Sequence, residues 1–174
     1  MTTTLQSHTA TIFADAFAKA IPAKTRGLRE WAEAEVYLPE GPYQGLPFRA
    51  SRQPFMALAY DEIDRRAYRR FAFVGCVQSG KSLGFWVIPQ AHALFELSET
   101  SVAGVPDMHN TAADKWRKEI LPVIQLTHYR DLLPTKGRGS KGGTPESIDF
   151  ANGRTLKFMS GTGSDAKRDL EGRN

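Results

Sequence analysis

Gly75-Cys76-Val77-Gln78-Ser79-Gly80-Lys81-Ser82 is a complete G-x-x-x-x-G-K-[ST] run, the spacing of a phosphate-binding loop. Phe71-Ala72-Phe73-Val74 precedes it, a short apolar run of the kind that makes a buried strand. Leu83-Gly84-Phe85-Trp86-Val87-Ile88 follows it and suits the first turns of a packed helix. Strand, glycine-bounded loop and helix start together turn a spacing match into a nucleotide-site expectation. Glycines let backbone N–H groups curl round phosphates, and a helix start adds free donors and a positive dipole end. In that role Gly75, Cys76, Val77, Gln78, Ser79 and Gly80 cradle the phosphates of ATP. Lys81 reaches the β- and γ-phosphates, and the Ser82 hydroxyl holds Mg²⁺.

Working outward, alternating strand and helix signals predict an α/β domain with a mainly parallel sheet flanked by helices. Ile12, Phe13, Ala16, Phe17 and Ala20 predict a helix over 9–20, and Leu28, Trp31 and Val36 a second over 27–37. Residues 39–50 are dense in turn formers. Ser51 reads as an N-cap with Pro54 in the first turn, opening a helix to about residue 66. Its expected apolar face is Phe55, Leu58, Ala59 and Ile63. The first strand is expected at 70–76, and a helix at 81–97 that Pro89 should kink or divide. A second strand is expected at 100–106, then a helix over 107–125 capped by Asp107 or Asn110 and bearing Trp116, Ile120 and Ile124. Residues 134–145 are basic and glycine-rich, and Ala151-Asn152-Gly153 between two alternating runs signals a hairpin. The division that results is a helical extension and loop over 1–50, followed by a partial phosphate-loop domain over 51–174.

The 174 residues suffice for one ordinary domain, and the chain has no apolar run of membrane-spanning length. The first residues, Met1-Thr2-Thr3-Thr4-Leu5-Gln6, lack the basic start and apolar core of a secretion signal. A single cysteine, Cys76, excludes an internal disulfide and fits a reducing compartment, here a cytoplasm. Residues 1–114 carry 11 Lys and Arg against 12 Asp and Glu, whereas residues 115–174 carry 12 against 7. A basic half beside a nucleotide site is what a motor acting on nucleic acid needs.

Hydrolysis asks for more than binding: an acid at the end of a second core strand for Mg²⁺, and a group to place the attacking water. Val102-Ala103-Gly104-Val105-Pro106-Asp107 is interrupted by glycine and proline, and Asp107 reads better as a helix cap. Ile148-Asp149 falls in the expected hairpin. Gln53 reads either as an adenine contact or as a polar residue in a first helical turn. Gln78 reads either as a group near the γ-phosphate or as a solvent-facing loop residue. Arg168 and Arg173 read as γ-phosphate or DNA contacts, or as bare surface charge. The histidines, His8, His92, His109 and His128, have no metal-ligand spacing.

In order along the chain, these features resemble the N-terminal ATPase region of the large terminase subunit of tailed phages, in the lambda-like GpA family. Trp31-Ala32 and Leu38-Pro39-Glu40-Gly41 resemble its leading helix and loop, and Arg52-Gln53-Pro54-Phe55 its next helix start. Val77-Gln78-Ser79-Gly80-Lys81-Ser82 resembles its phosphate loop. Pro106-Asp107 to Leu121-Pro122, Gly153-Arg154-Thr155-Leu156, and the Gly-Ser-rich stretch from Ser160 to Arg173 resemble its later segments. The resemblance implies an incomplete phosphate-loop ATPase fold of the RecA-like kind. The Mg²⁺-binding acidic strand and the nuclease domain would lie beyond Asn174. It also implies double-stranded DNA, a small terminase subunit and a capsid portal as partners, with oligomers formed by the full-length parent. A helicase-like motor and an inactive nucleotide-binding fragment are the alternatives.

Overall fold

The computed structural model describes residues 24–108, 110–137 and 146–160. The helix expected at 9–20, most of the basic glycine-rich segment, and Arg168 and Arg173 lie outside the described residues.

Helix α1 (Leu28–Glu35) buries Leu28, Trp31 and Ala32, spaced to share one face. Val36, just past its end, is buried too. Arg26 ties the start of this helix to Glu96, 70 residues further along the chain. Its backbone N–H and its guanidinium both donate to Glu96, at 2.7 Å and 2.9 Å, and a further guanidinium N–H reaches Glu35 at 2.7 Å. The hydrogen bonds from Arg26 hold the Glu96 carboxyl below the usual carboxylate range. A carboxyl lowered in this way stabilises the fold above its unfolded pKa and loses that contribution as pH falls through the lowered value. Glu96→Gln is therefore expected to lower the melting temperature near pH 7 and to flatten the acid limb of a melting-temperature profile. An acid limb as steep as the parent's would refute this.

A 3₁₀ turn (Ala50–Arg52) precedes helix α2 (Pro54–Asp64), so Ser51 lies within the turn and Gln53 occupies the N-cap position. The buried face of α2 is Met56 and Tyr60; Phe55 and Leu58 are exposed, contrary to the periodicity reading. Gly84 decides this rotation. A Cβ there would lie 2.6 Å from Met56 Cε, and the buried Tyr60 hydroxyl donates to the Gly84 carbonyl at 2.7 Å. That burial pushes the Tyr60 phenol well above its ordinary pKa.

After the loop the chain winds as a π-helical turn (Ser82–Val87) that passes into helix α3 (Ile88–Phe95). The pattern repeats later: the short helix α4 (Thr111–Asp114) leads to a π-helical turn (Lys115–Ile120) and then helix α5 (Leu121–Gln125). Pro89 and Pro122 each sit in the first α-turn after a π segment. A proline lacks an N–H and crowds the carbonyl four residues back, and the wider π turn absorbs both problems without breaking the helix. The division expected at Pro89 is thus a change of helical winding.

The sheet has three strands, β1 (Ser101–Val105), β2 (Ser147–Asp149) and β3 (Thr155–Ser160), in the order β1-β3-β2. β3 runs parallel to β1, pairing Ser101 with Leu156 and Val105 with Ser160, and antiparallel to β2. The sheet is therefore small, open and mixed, where a mainly parallel one was expected. Asn152 closes the hairpin as the Asn-Gly signal indicated. Its Oδ1 accepts the Arg154 N–H, and its Nδ2 donates to the Leu94 carbonyl at the end of α3. Leu156, Phe158, Ala103 and Val105 turn inward to join one buried cluster with Trp31, Ile88, Trp116 and Ile124. Among the described residues no helix is long and apolar enough to cross a membrane.

The strand expected at 70–76 does not form. Residues 71–76 run without regular secondary structure, and Val74 is 99% exposed. Their composition suits a strand, but a strand exists only where a neighbour completes the ladder. Rings hold this stretch instead: Phe73 stacks on Phe85 with centroids 4.0 Å apart and planes 3° apart.

Candidate phosphate-binding loop

Residues 75–82 turn back on themselves at the start of the π-helical segment, and two left-handed positions shape the turn. Gln78 has φ 60° and Gly80 φ 73°. At Gly80 a side chain would be doubly disfavoured: a Cβ would also stand 3.1 Å from both Gln53 Oε1 and Met56 Cε. α2 thus presses Gln53 and Met56 against the loop, and the missing side chains of Gly80 and Gly84 make room for it. Gln53, widely separated in sequence, is brought to the loop by this contact.

Lys81 folds back into the loop. Its Nζ donates to the Gly75 carbonyl at 2.7 Å and also to the Cys76 carbonyl. The Ser79 hydroxyl donates to that same Cys76 carbonyl at 2.9 Å. The carbonyls of Gly75 and Cys76 are therefore turned toward the ammonium. Residues 77 and 78 form a turn that closes on the Cys76 carbonyl; among the described residues the N–H groups of Cys76, Val77, Gln78 and Gly80 have no intramolecular acceptor. Several unengaged donors, a lysine ammonium and a helix start occur together here, groups of the kind an anionic phosphate requires. The residues fit the group.

Three cavities border the loop. One of about 420 Å³ is lined by Leu38, Tyr43, Arg52, Gln53, Gly80 and Leu83 among others, with the Arg52 guanidinium 4.3 Å over the Tyr43 ring. A second, of about 440 Å³, takes in Gly75, Cys76, Ser79 and Lys81 against Phe55, Phe73 and Phe85. Ser82 lines the third, about 180 Å³, together with Glu40, Lys118 and Glu119. Lys115 holds one oxygen of Glu119, while the other, Oε2, is buried without a hydrogen-bond partner. Nothing local to Glu40 or Glu119 couples them to Ser82; only the fold sets them in the cavity that Ser82 lines.

Cys76, Val77 and Gln78 are exposed, Val77 at 88%. Asp107 caps the next helix, its Oδ2 accepting the N–H of Asn110 at 2.8 Å and of Thr111 at 3.4 Å. Asp149 accepts the Thr155 hydroxyl at 2.7 Å across the hairpin. His92 is buried with Nε2 2.9 Å from the Arg26 carbonyl, and His128 Nδ1 lies 2.7 Å from Glu35. Among the described residues no group of three or more His, Cys, Asp or Glu side chains gathers to hold a metal. No protein-family model matches the chain, and comparisons with curated proteins and with solved structures find no match either.

Proposed function

We propose that this chain is the ATP-binding part of a DNA-packaging motor, the large subunit of a phage terminase. The parent of such a chain couples ATP hydrolysis to translocation of double-stranded DNA into a capsid, working with a small terminase subunit and a portal. The observation that carries the nucleotide reading is Lys81 folded into a loop most of whose N–H groups are unengaged. The ordered resemblance of flanking segments supports the terminase assignment, and Gln53 against Gly80 supports an adenine contact beside the phosphates.

In this reading the domain is a phosphate-loop fold of the RecA-like kind. The loop amides bind the phosphates, and Lys81 exchanges the Gly75 and Cys76 carbonyls for phosphate oxygens. Mg²⁺ supplies charge neutralisation across the β- and γ-phosphates when bound. Ser82 would hold it, with Glu40 and Glu119 lining the same cavity. Calorimetric titration with ATP, with and without Mg²⁺, tests this. Binding should tighten with Mg²⁺, and Ser82→Ala should remove about tenfold of that gain, on the order of one lost contact. Binding indifferent to both would sink the reading.

A specific observation favours a second reading, binding without turnover. The acid after β1, Asp107, is engaged as a cap, and Asp149 is engaged across the hairpin. ATP turnover at background level in the presence of double-stranded DNA, with Lys81-dependent binding intact, would select it.

A further inference from the structure

Between α2 and the phosphate loop the chain reads Arg65-Arg66-Ala67-Tyr68-Arg69-Arg70-Phe71, and all of it is exposed. Arg65 pairs with Glu62 at 2.6 Å, and Asp64 is turned to the Leu28 N–H. Among the described residues Arg66, Arg69 and Arg70 have no acidic partner. The dipole of α2 accounts for cations just past its end, such as Arg65, but not for Arg69 and Arg70 further on. Arg66 also stands at φ 54°, a left-handed position just past a helix end where glycine would be free of strain. An arginine there places a cation at a position where most side chains are strained.

Aromatic rings interleave with these cations. Tyr68 is 64% exposed and meets Phe71 edge to face at 6.2 Å. Phe71 stacks over Phe73, and Phe73 over Phe85, so the ladder runs back to the helical turn behind the phosphate loop. Guanidinium groups suit phosphate oxygens, and an exposed ring beside them suits the face of an unpaired base. A closed duplex keeps its base faces stacked inside, so it would use the arginines and leave Tyr68 idle. We propose that residues 65–71 form a landing surface for a single strand of nucleic acid, with Arg66, Arg69 and Arg70 on phosphates and Tyr68 stacked on a base. This surface stands apart from the nucleotide reading and survives that reading's failure.

Fluorescence anisotropy with a labelled oligothymidylate and a matched duplex, across a salt series, tests it. Arg66→Ala/Arg69→Ala/Arg70→Ala should weaken oligothymidylate binding about tenfold or more and make the salt slope shallower by about 2. The triple lysine variant should keep that slope, and Arg69→Ala/Arg70→Ala should lose part of it while leaving the strained position untouched. Tyr68→Ala should weaken single-strand binding roughly fivefold or more and spare the duplex. Affinity and slope unchanged in the triple alanine variant would overturn the proposal. So would Tyr68→Ala acting equally on strand and duplex. Arginine-dependent binding to phosphatidylglycerol vesicles, without arginine-dependent oligothymidylate binding, would assign the patch to a membrane surface instead.

Discussion

Lys81→Ala is expected to weaken ATP binding about a hundredfold, near 3 kcal/mol, with little change in melting temperature. The lysine is the sole cation drawn into the described loop, and its ammonium donates to two loop carbonyls. Charge-assisted hydrogen bonds of this kind contribute roughly 1.5–3 kcal/mol, and the ammonium would make more than one to phosphate. Lys81→Arg should not restore affinity, because a planar guanidinium cannot enter a turn shaped around a compact ammonium. Titration with a fluorescent ATP analogue reads both effects. Parent-like affinity in Lys81→Ala would remove the loop from nucleotide binding altogether.

Trp31→Ala should produce the largest loss of stability, about 3–5 kcal/mol in denaturant unfolding, the range for a large buried aromatic. Trp31 is fully buried and stands between elements far apart in sequence. Its ring lies 5.4 Å from that of His92 in α3 and 6.1 Å from that of Tyr129, and its Nε1–H donates to the Tyr129 hydroxyl at 3.3 Å. A domain this size is held by only about 5–15 kcal/mol, so much of the folded margin would go. Trp31→Phe keeps the ring contacts and loses the N–H donor, and should cost about 1 kcal/mol. A loss below about 1 kcal/mol in Trp31→Ala would mean that α1 does not belong to the cooperative core.

Local chemistry was legible in the sequence and long-range choice was not. The turn at 75–82, the Asn152-Gly153 hairpin and the Asp107 cap all follow from residue types within a few positions of one another. Which face of α2 is buried depends on a glycine 24 residues beyond Tyr60, and no helical periodicity contains that fact. Phe71-Ala72-Phe73-Val74 has the composition of a strand, but pairing is a property of its neighbours. The two prolines announce a disturbance without saying that a π turn would absorb it. Glu119 reaches the Ser82 cavity only through packing of the helical run after β1. The arginines at 65–70 vanish when charge is averaged over residues 1–114, where the surrounding acids cancel them.

The unpaired run at 71–76 has a mechanical meaning. A loop seated on a central strand is bolted to a stiff plate, and force developed at its phosphates spreads across the whole sheet. Here the loop is mounted on an arm braced by ring stacking from Phe73 to Phe85 and by the Lys81 ammonium on the Gly75 and Cys76 carbonyls. Load applied at Lys81 would bend that arm before it reached β1 or β3. As described, the mount is a compliant spring rather than a rigid plate.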